Sequence, residues 1–104
     1  MRRAARVDAN QAEIVKALRD AGCGVQSLAG VGDGCPDLLV HAPAYPWRHY
    51  LIEVKDGKKP PSERRLTTDQ QRFHAQWKGF IYVVTNVAEA LDAVGITPRH
   101  GGGR

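Results

Sequence analysis

Three residues could do chemistry together: Asp37, Glu53 and Lys55. Glu53 and Lys55 lie two apart in "YLIEVKDGKKPP" (50–61), which begins as a strand. Side chains alternate along a strand, so this acid and base project from one face while Tyr50, Ile52 and Val54 project from the other. Asp37 opens the preceding apolar run "DLLVHA". If the two runs form a hairpin with its midpoint near Tyr45, Asp37 comes opposite Glu53 or Val54, within a residue or two. Two carboxylates and an ammonium then converge at one end of a sheet. Carboxylates that close repel unless a cation neutralises them, and hard oxygen ligands suit Mg2+. A lysine beside such an ion can orient and help deprotonate a water, or offset charge building on a phosphate. The chemistry implied is metal-assisted hydrolysis of a phosphodiester. Taken singly, Asp37 also reads as a turn acceptor after Pro36, and Glu53 with Lys55 as a solvent-facing ladder.

The elements that must position these residues follow from periodicity. Residues 10–21, "NQAEIVKALRDA", carry an apolar stripe of Ile14, Ala17, Leu18 and Ala21, which predicts a helix stopped by Gly22 and Gly24. A short strand through 25–28 follows, then the tight glycine loop "AGVGDGCP". "DLLVHA" and "HYLIEVK" read as antiparallel strands, and "DGKKPPSERR" as a polar, basic loop. Residues 68–78 predict a second helix, with Thr67 or Thr68 as N-cap and Gln70 or Gln71 as its capping-box partner. Phe73 and Trp77 are expected to face the core. "FIYVV" reads as a buried strand, and "NVAEALDAV" as a last helix capped by Asn86. The expected fold class is α/β, a central mixed sheet flanked by helices in the order α-β-β-β-α-β-α. A single domain over 1–96 is expected, with 97–104 a flexible, glycine-rich tail.

Composition narrows the classes. The chain has 104 residues, 42% of them hydrophobic and 25% charged, and a net charge of +4. It suits one soluble domain with a modest core. No apolar run is long enough to span a membrane, and the basic start "MRRAARVDAN" lacks the apolar stretch of a secretory signal. A cytoplasmic location is the expectation. Lys55, Lys58, Lys59, Arg64, Arg65 and Arg72 crowd into eighteen residues beside the acid–base pair. That is either a solvated face or a run of phosphate contacts. The two cysteines, Cys23 and Cys35, have eleven residues between them and form no CxxC pair, and the four histidines show no HxxxH spacing. Disulfide framework and structural zinc are thereby set aside. "GVGDGC" ends in Cys35 where a dinucleotide fingerprint needs glycine, and no GK[ST] follows, so no nucleotide cofactor is expected. Neither Ser27 nor Ser62 stands in a G-x-S-x-G elbow.

"GDGCPD", fifteen residues and then "EVK" resembles the signature of the PD-(D/E)xK nuclease superfamily. More narrowly, "AEIVKAL", "GCPDLLV", "LIEVK", "LTTDQ" and "GFIYVV" resemble, in order, the elements of VRR-NUC domains, the virus-type replication-repair nucleases. A bare PD…ExK match recurs by chance; five elements in sequence over residues 10–94 do not. The resemblance implies a restriction-endonuclease-like core. It implies Asp37 and Glu53 as metal ligands, with the Val54 carbonyl a third, and Lys55 as the catalytic lysine. Glu13 would reach the metal directly or through water, although Asn10-x-x-Glu13 equally reads as a capping box. The family glutamine matches Gln70, with Gln71 as the alternative. The activity implied is a Mg2+-dependent, structure-selective DNA endonuclease of phage or repair type, with Mn2+ substituting and Lys58, Lys59, Arg64, Arg65 and Arg72 touching phosphates. Its substrate would be branched or flapped DNA such as a Holliday junction, and a homodimer would present two sites. The competing class is a non-catalytic nucleic-acid-binding module on the same fold.

Overall fold

Helix α1 (Gln11–Asp20) forms where the apolar stripe demands it, with Ile14 and Leu18 fully buried. It ends where Gly22 takes φ +95°, a left-handed turn that L-residues resist. These elements belong to a computed structural model that describes residues 10–96. The expected C-terminal tail and the basic N-terminal segment lie outside the described residues. Four strands follow, β1 (Gly24–Ser27), β2 (Leu38–His41), β3 (His49–Val54) and β4 (Ile81–Val84), with α2 (Thr68–Gln76) before β4 and α3 (Val87–Ala93) after it. The element order is the expected one.

The sheet runs β1-β2-β3-β4, antiparallel across the first two pairings and parallel between β3 and β4. A parallel pair needs a crossover, and the chain segment containing the basic loop and α2 supplies it. Register puts Leu38 opposite Ile52 and Val40 opposite Tyr50, with Val25 beside Val40 and Val84 beside Val54. These side chains meet Ile14 and Leu18 of α1 and Ala90 of α3 in one buried cluster. Each such aliphatic side chain removed from water contributes about 1.5–3 kcal/mol. Alternation then sends Asp37, Leu39, Leu51, Glu53 and Val83 to the opposite face.

Two expectations are corrected. Phe73 and Trp77 do not enter the core: no residue of α2 is buried, and Trp77 keeps 47% of its surface exposed. The two rings stack on each other instead, centroids 5.4 Å apart and 18° from parallel. "FIYVV" is not a wholly buried strand either. Phe80 precedes β4 and is 70% exposed, Val83 is exposed, and only Val84 is buried. The physical reason is shared. β4 is an edge strand, and α1 and α3 cover only one face of the sheet, so a continuous apolar run here does not mean two buried faces.

Candidate active site

The β2–β3 register continues one residue past its last pairing, Leu38 with Ile52, and so brings Asp37 opposite Glu53. Directly opposed residues of an antiparallel pair share a face. Asp37 is fixed twice. Its carbonyl accepts from the Leu28 amide at 2.8 Å, and its Oδ2 accepts from the Val54 amide at 2.7 Å. The second bond anchors the Glu53–Val54 peptide, one link before the Val54 carbonyl that the resemblance nominates as a ligand. Asp37→Asn keeps an acceptor for Val54, so it should fold with little change in Tm yet lose cleavage. Asp37→Ala leaves a buried amide unsatisfied and should lose about 1–3 kcal/mol as well. Thermal melts beside cleavage assays separate the two; equal stability loss in both variants would contradict the assignment.

Glu53 is 1% exposed, and its Oε2 accepts from Gln70 Nε2 at 3.0 Å. A buried carboxylate persists when partners offset its lost hydration. Lys55 Nζ stands 3.9 Å from the same oxygen and donates to Gln70 Oε1 at 2.7 Å. Gln70 thereby joins acid and base. It is held in turn by the start of α2, where Thr67 Oγ1 accepts from the Gln70 amide at 3.1 Å and Gln70 Oε1 accepts from the Thr67 amide at 2.9 Å. This is a complete capping box. Gln71 points elsewhere, donating to the Leu66 carbonyl.

The glycine loop supports α2 from below. Gly32, Asp33 and Gly34 take φ of +79°, +56° and +78° in succession. The turn brings the Gly34 backbone so close to the first turn of α2 that a Cβ there would collide with the Asp69 carbonyl and reach 2.8 Å from the Gln70 amide. A motif read as punctuation between strands is therefore the seat of the helix that carries Gln70.

Other residues fall less simply. Glu13 is exposed on α1, and the expected capping box does not form. The Asn10 side chain accepts from no helix amide; its Nδ2 donates to the Lys55 and Thr85 carbonyls at 3.0 and 2.9 Å. Asn10 thus ties the start of α1 to the ends of β3 and β4. Lys58, Lys59 and Arg65 are exposed in the loop, while Arg72 pairs with Asp69 at 3.0 Å. His74, one turn after Gln70, places Nε2 3.9 Å from Glu53 Oε1. Burial, and then the Lys55 ammonium, push its pKa below the ordinary imidazole value, so at neutral pH this approach is not an ion pair. The i, i+4 spacing from Gln70 was the available signal for His74. Burial, then Glu53, then Asp37 push the Cys35 thiol up, which keeps it protonated and unsuited to bind metal as thiolate.

The donor set fits a small hard cation. Asp37 and Glu53 offer carboxylate oxygens on one face, and the nearby sulfur is a thiol. Among the described residues no group of three or more His, Cys, Asp or Glu side chains is gathered to hold a metal, and Glu13 is exposed on α1. Mg2+ is commonly held by one or two carboxylates with water and substrate phosphate completing its shell.

No family model matches the sequence, and no curated protein matches it significantly. A solved structure described as "VRR_NUC domain" superposes with a TM-score of 0.59 at 23% identity, covering 84% of this chain and 96% of its own. Among the described residues no helix is long and apolar enough to cross a membrane. The α/β layout of a four-stranded mixed sheet and flanking helices is thus restriction-endonuclease-like, and this chain has the fold of a VRR_NUC domain.

Proposed function

We propose that this domain is a Mg2+-dependent DNA endonuclease that selects DNA structure. The observation that carries the reading is the Asp37–Glu53–Gln70–Lys55 constellation, built from three separate elements around one buried carboxylate. Asp37 and Glu53 would hold the cation, joined by the Val54 carbonyl, and Mn2+ would serve in its place. When bound, the cation supplies Lewis-acid polarisation of the phosphate and activation of water. The protein's own part is positional. Gln70 fixes Lys55 beside Glu53, where the ammonium can orient the attacking water and offset charge on the phosphate. Burial of Glu53 keeps this arrangement rigid. The flapped or branched substrate, the homodimer and a role in repair or phage replication rest on the same reading.

The test is cleavage of labelled linear, nicked, flapped and four-way DNAs with Mg2+, Mn2+ or EDTA. Metal-dependent cutting of one geometry over linear duplex is expected. Binding without cutting under every condition would favour the non-catalytic module.

The loop 56–65 should carry phosphate contacts. Each phosphate neutralised on duplex DNA contributes about 0.9 to the slope of log affinity against log salt. Replacing Lys58, Lys59, Arg64 and Arg65 together should flatten that slope by about 3–4 in a titration of binding against NaCl. An unchanged slope removes the loop from the interface.

A further inference from the structure

Helix α2 carries a stripe that begins inside the site and ends outside it. Gln70 bonds Glu53 and Lys55, His74 approaches Glu53 one turn later, and Phe73 and Trp77 lie on the same side at i+3 and i+7. The apolar end of this stripe does no core work. Phe73 is half-buried, and the Trp77 indole rests on it while leaving 47% of its own surface open. The indole is also held at its edge, because Gly79 lies so near that a Cβ there would come within 2.9 Å of Nε1. A large aromatic ring is therefore fixed in place yet kept in solvent. From Gln70 to Trp77 is about 10 Å along the helix axis, about three nucleotides at the 3.4 Å rise of a stacked strand.

We infer that Trp77, backed by Phe73, is a stacking shelf for an unpaired nucleobase about three nucleotides from the cleaved phosphate. The inference deepens the nuclease reading and rests on it for the position of that phosphate. Charge selects the occupant. Lys78 follows the shelf, Lys55 lies at the other end of the stripe, and the chain as a whole carries +4. Aromatic faces among cations are how proteins hold single strands irrespective of sequence. A second copy of this chain docked by two-fold symmetry would set the same cations against each other. Base pairing hides the faces that the shelf needs, so the site would take strands with a flap, gap or branch.

The experiment measures anisotropy of a labelled oligothymidylate and of a fully paired duplex, with Mg2+ and with EDTA, together with sedimentation. Trp77→Ala should weaken oligothymidylate binding about ten-fold or more. Trp77→Phe should recover most of it, and duplex affinity should change by less than about two-fold. In a Trp47→Phe background Trp77 is the sole tryptophan, and its fluorescence should be quenched by the oligonucleotide. Phe80 packs on Tyr82, whose ring meets Tyr50 on the other face, so Phe80→Ala should leave both affinities intact. Equal losses on single strand and duplex, no loss on either, or a fall in oligomer mass with unchanged affinity would each overturn the shelf. If the wild type cuts no DNA yet binds single strands through Trp77, the nuclease reading fails and the shelf stands.

Discussion

Lys55→Ala will lower cleavage by about a thousand-fold, and Lys55→Arg will not restore it. The ammonium is almost enclosed, its side chain 12% exposed, between Gln70 Oε1 at 2.7 Å and Glu53 Oε2 at 3.9 Å. A positioned proton-transfer group contributes about a hundred- to ten-thousand-fold, and one preorganised electrostatic contact about a hundred- to a thousand-fold. Lys55 could supply either. Arginine keeps the charge but is a planar fork that cannot occupy the space of a compact ammonium, nor give up a proton at useful pH. Single-turnover rates on the preferred DNA, with binding measured in parallel, decide the matter. A variant cutting within ten-fold of wild type would show that Lys55 only neutralises Glu53. Lys55→Ala should also lower Tm, since Glu53 would lose its cationic neighbour.

The second large effect is expected at a residue that touches no substrate. Gly34→Ala should reduce cleavage about a hundred-fold. The added methyl would meet the Asp69 carbonyl and the Gln70 amide at a residue with φ +78°, so both sterics and backbone oppose it. Relief requires the first turn of α2 to move away from the glycine loop. That motion withdraws Gln70 from Glu53 and Lys55, and a displacement of about 1 Å is enough to cost about a hundred-fold. Gly32→Ala is the control, because its φ of +79° is similar but a Cβ there would meet nothing within 4 Å. It should lose stability through backbone strain while retaining much of the activity of its folded fraction. If both variants lose activity alike at matched folded fraction, loop strain rather than the seat of α2 is responsible.

What the sequence determined by itself is what near neighbours decide. Ile14 and Leu18 set the buried stripe of α1 because four residues make about one turn. A capping box at the start of α2 was legible within a single turn, with Thr67 or Thr68 and Gln70 or Gln71 as its members; the structure closes it with Thr67 and Gln70. The antiparallel pairing of β2 with β3 followed from their short connection, and a hairpin centred near Tyr45 was enough to bring Asp37 to Glu53. The chemistry-bearing residues were legible for the same reason: strand alternation alone puts Glu53 and Lys55 on one face.

Only the tertiary structure decided which surfaces are covered. Phe73 and Trp77 look like core residues in a linear reading, yet α1 and α3 sit on one side of the sheet and leave these rings outside it. Gln70 matches the family spacing, but its neighbour Gln71 stands as the alternative. They point about 100° apart on a helix, and only the seating of α2 against Gly34 turns the first of them to Glu53. Asn10 and Glu13 share a capping spacing, but carbonyls from the ends of β3 and β4, distant in sequence, claim the Asn10 side chain. Local patterns compete with long-range partners, and the partner that satisfies a buried polar group is known only when the chain has closed around it.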